Sequence, residues 1–270
     1  MPLPHDVRDD GSAHGPEGVA LLDVLELERV DRDLFRSTAL FEEPWSLFGG
    51  QVAAQALLAA GRTVQAERRP HSLHGYFLRP GDSRRPVVFS VDRDRDGRSF
   101  SARRVVARQE GEVILNLSAS FHAGDDQAQD EVALRPPVAA ATQVTVPHRL
   151  IGFEQRVVDL PFTVHPTRVW MRSTQALPAD PLVHAAALTY LSDIYTGHGA
   201  LQSAVGKHQS TLDHTVWFHR PARADEWVLM DLQARSVGQG RGLYTGELWT
   251  EAGVLVASLA QETLYRQDRR

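Results

Sequence analysis

The sequence contains an internal repeat at an offset of 141 residues. The first copy reads Tyr-Phe-Leu-Arg-Pro and ends at Pro80, and the second reads Trp-Phe-His-Arg-Pro and ends at Pro221, so the offset is 221 − 80 = 141. The strands that close the copies, residues 112–120 and 253–261, align at the same offset, 254 − 113 = 141. A repeat of this kind fixes the architecture before any motif does. We therefore expect two similar units in one chain.

Each copy combines one apolar helix with an antiparallel meander. In the first copy, residues 51–60 predict a helix that stops at Gly61, a residue type favoured just past a helix end. In the second copy, Asp180 as N-cap and Pro181 at the first position predict a helix that runs to about Tyr195. Both helices are apolar on nearly every side, which indicates burial all round. A sheet wrapped round a buried helix meets that requirement, and the expected class is α+β.

Segments without apolar periodicity divide the chain. We expect a flexible tail at residues 1–18, an N-terminal unit at 19–122, a linker at 123–147 and a C-terminal unit at 148–270. The tail lacks the positive and apolar regions of a signal peptide. No apolar run is long enough to predict a transmembrane helix. The expected location is cytoplasmic, without membrane insertion.

Charge and cysteine content exclude several classes of function. Lys+Arg 29 against Asp+Glu 34 gives a net charge of −5, which is not the basic balance of a nucleic-acid-binding chain. The absence of cysteine excludes a disulfide scaffold, a thiolate nucleophile and a Cys-ligated metal site. A serine nucleophile is unsupported, because the sequence has no Gly-x-Ser-x-Gly elbow. We expect no nucleic-acid partner.

Five segments carry a resemblance to a known family. They read Phe48-Gly-Gly-Gln-Val52, His71-Ser-Leu-His-Gly-Tyr-Phe-Leu-Arg-Pro-Gly-Asp82, Asp96-Gly-Arg-Ser-Phe-Ser-Ala-Arg-Arg-Val105, Leu212-Asp-His-Thr-Val-Trp-Phe-His-Arg-Pro221 and Gly253-Val-Leu-Val-Ala-Ser-Leu-Ala-Gln-Glu262. The chain resembles the acyl-CoA thioesterase II family from about residue 21 to residue 265, apart from the linker. The resemblance implies a double hotdog fold, in which two hotdog units form a pseudo-dimer. It also implies hydrolysis of fatty acyl-CoA to free acid and coenzyme A, a step of fatty acid and lipid metabolism, without a metal or an organic cofactor.

The resemblance also implies three catalytic residues. The family uses an Asp near the end of the second hotdog helix, a Thr that opens the following strand and a Gln near the last strand, which fall on Asp193, Thr211 and Gln261. In such enzymes these side chains hold a water molecule for direct attack on the thioester. Asp193 can act as the base if its pKa rises, and burial beside the negative end of a helix acts in that direction. Thr211 and Gln261 would orient the water.

Residue types alone leave other interpretations open at these positions. Without the resemblance, Gln261 would sooner be a core amide bonded to backbone, Asp193 a surface carboxylate and Thr211 an ordinary strand residue. At the repeat offset, Thr211 corresponds to Pro70 and Gln261 to Ser120. The first unit therefore cannot hold the same constellation. We expect it to supply pocket wall and CoA contacts, while the second unit supplies the chemistry.

Three further residues are candidates for substrate binding. His74 could line the active-site cleft, and a packing role is about equally supported. Arg98 and Arg103 could contact CoA phosphates, although charges solvated along a strand are the safer interpretation. His71 and His74 resemble a metal pair, but a spacing of i, i+3 in a strand points the two rings to opposite faces, so no metal is expected.

Two other functions remain open. One is a hotdog-fold enoyl-CoA hydratase, since Asp193 and His198 form a superficial Asp/His pair, although the hydratase pattern Gly-Asp-x-Asn-Pro-x-His is missing. The other is a non-catalytic acyl-CoA-binding protein, which would tolerate loss of the catalytic residues. The edges of antiparallel sheets favour pairing, so we also expect a homo-oligomer, a dimer or a tetramer.

Overall fold

A computed structural model of the chain describes residues 19–43, 45–124, 150–157, 167–194 and 208–266. The predicted tail, nearly all of the predicted linker, Tyr195 and His198 lie outside the described residues. The elements before the predicted linker are α1 (Leu21–Leu25), β1 (Leu27–Asp31), β2 (Leu34–Ser37), α2 (Gly49–Gly61), β3 (Arg69–Phe77), β4 (Val88–Asp96), β5 (Phe100–Gln109) and β6 (Glu112–His122). The elements after it are β7 (Phe153–Val157), β8 (Arg168–Ser173), α3 (Pro181–Ser192), β9 (His208–Phe218), β10 (Val228–Gly238), β11 (Arg241–Thr250) and β12 (Leu255–Arg266).

The twelve strands of the described residues form one antiparallel sheet, in the order β1-β2-β4-β5-β6-β3-β9-β12-β11-β10-β8-β7. β3 and β9 join the two halves at its centre, where His74 pairs with Thr215. These two residues lie 141 positions apart in the chain, which is the offset of the sequence repeat. Residues that the repeat relates therefore meet at the centre of the sheet and mark a pseudo-twofold axis. The sheet thus has the approximate twofold symmetry that the sequence repeat predicts.

The helices α2 and α3 are buried together against the sheet. Every residue from 50 to 60 and from 184 to 192 is buried, as the all-round apolar pattern predicts. The two helices run antiparallel, because Gly50 packs on the Tyr190 carbonyl and Gly61, at the other end of α2, packs on Leu182. A Cβ at either glycine would overlap its neighbour, so both glycines permit the close approach. Gly61 is thus the last residue of α2 and not the residue beyond it, and a steric contact explains it better than a cap.

α3 begins where the sequence predicts and ends earlier. The Asp180 carboxylate accepts a hydrogen bond from a first-turn backbone amide at 2.9 Å, and Pro181 is the first helical residue. The helix ends at Ser192 and not near Tyr195. Asp193 is the C-cap, with φ −84° and ψ 50°, which lies outside the helical region. The chain therefore turns away from the helix axis at the residue that the resemblance identifies as the base.

Candidate active site

Asp193 is buried at the carboxyl end of α3, with 4% of its surface exposed. The interpretation as a surface carboxylate is therefore wrong. The sequence places this residue in the last turn of the helix, whereas the structure places it one residue beyond that turn. Its side chain still lies near the negative end of the α3 dipole.

Thr211 reaches the same place because β9 contains a bulge. On neighbouring β12, Gln261 pairs with His214 and Glu262 with Asp213, but Thr263 pairs with Thr211, so one residue of β9 is left over. Successive side chains of a regular strand point to opposite faces, and an extra residue reverses that alternation. The bulge therefore turns Thr211 to the face that carries Gln261. A strict period of two would place it on the other face.

A chain of two hydrogen bonds joins the three residues that the resemblance implies. The Gln261 carboxamide, which is fully buried, donates from Nε2 to Thr211 Oγ1 at 3.1 Å. Thr211 Oγ1 donates in turn to Asp193 Oδ1 at 3.0 Å. The threonine hydroxyl has one hydrogen, so this geometry commits it to the carboxylate. The catalytic roles of the three residues stay predictions, and the structure brings all three side chains together.

The amino-terminal turn of α2 lies against Asp193 and connects the first half of the chain to the site. A Cβ at Gly49 would overlap Asp193 Oδ2 and would stand 3.0 Å from Cε1 of Phe77. The first backbone amides of a helix have no acceptor within the helix, and that end favours negative charge. The carboxylate thus lies between the negative end of α3 and the positive end of α2. The sequence pattern indicates the contribution of α3 and not that of α2.

Two residues near the site received no role from sequence reasoning. His214 is 1% exposed, its Nε2 lies 2.8 Å from Ser192 Oγ, and burial lowers the pKa of its imidazole to about 4. Tyr244 is fully buried and its hydroxyl donates to the Ile194 carbonyl at 2.7 Å. Burial, together with the negative charge of Asp193, raises the pKa of Tyr244 well above its usual value. In the sequence, both residues could have been recognised as polar side chains at positions of a strand that face the core.

The repeat partner of Gln261 differs from the one that the sequence offset gives. Leu73 on β3 corresponds to His214 at the offset of 141, and Leu73 pairs with Ala119, whereas His214 pairs with Gln261. Ala119 and not Ser120 is therefore the structural counterpart of Gln261. Arg108 pairs with Val113 across the β5–β6 hairpin, whereas its repeat equivalent Trp249 pairs with Leu255 across the β11–β12 hairpin. The second hairpin therefore holds one more residue, which moves β12 to an offset of 261 − 119 = 142. An alanine there agrees with the expectation that the first half lacks the constellation.

The structure places His74 at the centre of the sheet, with its side chain on the exposed face. Its Nδ1 lies 3.3 Å from Thr215 Oγ1, and its ring contacts Trp217 edge to face at 5.4 Å. The neighbouring Gly75 and its partner His214 are buried, so successive positions of β3 point to opposite sides. His74 therefore lies on the side of the sheet away from Asp193 and outside the proposed site.

Arg98 and Arg103 lie near the other end of α2. Arg103 is 1% exposed and donates to Thr63, which follows α2, to Asp96 and to two backbone carbonyls. It is therefore neither solvated nor available to a CoA phosphate, because its five donors are used inside the protein. Arg98 is exposed in the β4–β5 turn, and its carbonyl accepts from Arg68. The thirteen residues of α2 separate this region from Gly49 by about 20 Å.

Solved structures identify the class of fold. A conserved protein of unknown function with a hot dog fold from Alicyclobacillus acidocaldarius matches with a TM-score of 0.76 at 22% identity, over 92% of this chain and 98% of that chain. The tesB protein of Mycobacterium avium subs paratuberculosis matches with a TM-score of 0.81 at 34% identity, over 91% of this chain and 98% of that chain. With one buried helix on each side of a pseudo-twofold axis, the chain is a double hotdog protein. No helix in the described ranges is long and apolar enough to cross a membrane.

Sequence comparisons identify the family. A family model for the acyl-CoA thioesterase N-terminal domain matches residues 41–122, and one for the C-terminal domain matches residues 115–265. Acyl-coenzyme A thioesterase 8 of Homo sapiens is 32% identical over 97% of this chain and 95% of its own length. The chain belongs to the acyl-CoA thioesterase II family, as the sequence resemblance implies.

Proposed function

We propose that this protein hydrolyses fatty acyl-CoA thioesters to free acid and coenzyme A, with Asp193 as general base and Thr211 and Gln261 as the residues that orient the water. Membership of the family supports the reaction class. The observation that carries the assignment of residues is the hydrogen-bond chain from Gln261 through Thr211 to Asp193. This chain joins the Asp193 carboxylate, which can accept a proton, to the Thr211 hydroxyl and the Gln261 amide, which cannot act as bases. All three groups lie in a buried site.

The proposed hydrolysis uses water, the thioester and one base that first accepts a proton and then returns it. Asp193 accepts a proton from water as the water oxygen attacks the thioester carbonyl carbon. The resulting tetrahedral intermediate collapses, the carbon–sulfur bond breaks, and the sulfur of coenzyme A leaves with the electron pair. Asp193 then returns its proton to that sulfur, so the products are the free acid and the thiol. Thr211 and Gln261 keep the carboxylate and the water in one orientation, which lowers the entropic part of the barrier.

The first turn of α2 supports the same reaction from the other side. Gly49 and Gly50 open the helix, and Gly49 contacts the Asp193 carboxylate. Negative charge develops on the carbonyl oxygen in the transition state, and a helix amino terminus favours such charge. Glycine at position 49 allows substrate and carboxylate to approach the backbone closely. The active site is thus proposed to combine chemistry from the second half with electrostatic support from the first.

We also propose the features that accompany this activity. The hotdog units are assigned to residues 19–122 and 148–270, in keeping with six strands on each side of the β3–β9 junction. Medium- to long-chain acyl groups are the proposed substrates, on the strength of the resemblance. A cytoplasmic location and a homo-oligomer, dimer or tetramer, complete the proposal. Within the described residues the sheet ends at β1 and β7, and such edges favour association.

Three parallel measurements separate this function from its alternatives. Thiol release from octanoyl-CoA and palmitoyl-CoA reports hydrolysis, loss of crotonyl-CoA absorbance reports hydration, and calorimetry with a non-hydrolysable acyl-CoA thioether reports binding alone. We expect thiol release in the first assay, and the same rate after exhaustive chelation. Hydration of crotonyl-CoA without thiol release would establish the hydratase alternative. Binding with no turnover of either ester would establish the acyl-CoA-binding protein.

A further inference from the structure

A row of three inward-facing residues crosses the sheet beside the candidate active site. On adjacent strands, Gln261 of β12 pairs directly with His214 of β9 on one side and with Tyr244 of β11 on the other. All three are at most 1% exposed. Only Gln261 belongs to the hydrogen-bond chain that ends on Asp193. The two flanking residues are buried polar groups that the proposed chemistry does not use.

The two flanking residues hold the residues on either side of Asp193. His214 Nε2 lies 2.8 Å from the hydroxyl of Ser192, which precedes Asp193. The Tyr244 hydroxyl donates to the carbonyl of Ile194, which follows Asp193, at 2.7 Å. Asp193 itself is the C-cap of α3, where regular helical hydrogen bonding has stopped. The row that carries Gln261 therefore also holds the residues on both sides of the carboxylate, through the side chain of Ser192 and the main chain of Ile194.

His214 also faces the Gln261 carboxamide. Within the described ranges, neither His214 Nδ1 nor Gln261 Oε1 has a hydrogen-bond partner of standard geometry, although both atoms are buried. The two side chains are cross-strand neighbours on the same face. Gln261 raises the pKa of His214, which opposes the larger, lowering effect of burial, and this is the direction expected of a carbonyl oxygen near a ring N–H. The neutral imidazole carries one proton. On Nδ1, that proton favours Oε1 of Gln261 towards His214 and Nε2 of Gln261 towards Thr211. The His214 Nε2 atom then accepts from the Ser192 hydroxyl, which would otherwise donate to the Thr189 carbonyl at 3.0 Å.

We propose that His214 and Tyr244 are positioning residues for the thioesterase reaction: Tyr244 fixes the Asp193 backbone through Ile194, and His214 fixes it through Ser192 while orienting the Gln261 carboxamide. The inference rests on the proposed function, since it assumes that Asp193 and Gln261 act on the water. Neither residue takes part in proton transfer. Their contribution is to hold Asp193, Thr211 and Gln261 in the geometry that one water molecule requires.

The test uses kcat and KM for palmitoyl-CoA, with thermal unfolding measured in parallel. Tyr244→Phe removes one hydroxyl and keeps the ring. It should lower kcat by about 10-fold to 100-fold with little change in KM, because small displacements of reacting groups have such effects. Tyr190→Phe is the matched control, since the Tyr190 hydroxyl is also buried and also bonds the main chain, at Ile151 N. That control should lower the unfolding temperature without a comparable loss of kcat.

A pair of variants tests the second role of His214. His214→Asn keeps a polar group at the Nδ1 position, whereas His214→Leu removes it. We expect the asparagine variant to retain a measurably higher kcat than the leucine variant. His184→Gln serves as control, because His184 is a buried histidine of α3 that accepts from the Ala224 backbone amide. A purely structural role predicts that His214→Asn and His214→Leu lose activity only in proportion to the loss of folded protein.

A double-mutant cycle separates this inference from the proposed function. In an Asp193→Asn background, Tyr244→Phe should cause no further loss, because the residue that it positions is already inactive. An active Asp193→Asn enzyme would overturn the proposed base. An inactive Asp193→Asn enzyme with full kcat in folded Tyr244→Phe and His214→Leu would leave the base in place and overturn the positioning roles.

Discussion

Replacement of Gly49 by alanine tests whether the amino terminus of α2 is part of the active site. A Cβ at this position would stand 3.0 Å from Cε1 and 3.1 Å from Cζ of Phe77, whereas ordinary van der Waals contact begins near 3.4 Å. The Phe77 ring must therefore give way by a few tenths of an ångström. The overlap with Asp193 Oδ2 is larger, and the carboxylate must move by about 1 Å to relieve it.

Such a displacement acts on the reaction more than on the fold. A misplacement of about 1 Å can cost on the order of 10²-fold in rate. The overlap also destabilises the protein by about 1–3 kcal/mol, as overpacking typically does. The preference of helices for alanine over glycine, worth up to about 1 kcal/mol, offsets part of this loss. We therefore expect a folded enzyme with a kcat for palmitoyl-CoA reduced about 100-fold.

Two glycine variants provide the controls. Gly61→Ala causes a similar overlap at the other end of α2, against Leu182, so it should destabilise the protein and leave kcat largely unchanged. Gly238→Ala meets no atom within 4 Å and should change neither quantity. Thiol release and thermal unfolding are measured on all three variants. A folded Gly49→Ala enzyme with wild-type kcat would show that the α2 terminus and the Asp193 carboxylate do not act together.

Three further outcomes follow from the same structure. Thr211→Val and Gln261→Ala should each lower kcat less than loss of Asp193, and their combined effect should be less than additive because they serve one water; a fully additive double variant would contradict this. Stability in urea should fall by about 2 kcal/mol between pH 7 and pH 5, because burial lowers the pKa of His214 from 6.5 to about 4 and the unfolded chain therefore binds the proton first. The pH dependence should be smaller in His214→Gln, and an unchanged slope would assign it to other groups. Light scattering at micromolar concentration should report a dimer or tetramer of the 29.9 kDa chain, and a monomer would contradict the proposed association.

The large features of the fold follow from patterns that are visible in the sequence. The 141-residue repeat predicts two units, and the all-round apolar character of residues 51–60 predicts a buried helix. Asp180 and Pro181 predict the start of α3 because a cap is a local interaction. The end of α3 is less well predicted, since Asp193 leaves the helix where the chain packs against other strands.

Several features of the site cannot be predicted from the pattern of residues along the sequence. A bulge in β9 turns Thr211 inward, and the alternation of a strand contains no signal for one extra residue. Gly49 contacts Asp193 although 144 positions separate them in the chain, because the two helices pack antiparallel. The sequence favours a solvated Arg103 on a charged strand, whereas hydrogen bonds to Thr63 and Asp96 hold its side chain inside the protein. Each case depends on contacts between distant segments, which one sequence does not reveal.

The kcat of Asp193→Asn shows whether Asp193 is the base of the reaction. Asparagine keeps the size and hydrogen-bonding reach of aspartate but cannot accept a proton from water, so kcat for palmitoyl-CoA should fall on the order of 10²–10⁴-fold. Asp231→Asn is the matched control, because Asp231 is equally buried at 4% exposure and pairs with Arg168 outside the site. The role of Asp193 as base predicts an inactive, folded Asp193→Asn enzyme that still binds acyl-CoA, beside an active Asp231→Asn enzyme. A folded Asp193→Asn enzyme that keeps more than half of the wild-type rate would contradict it.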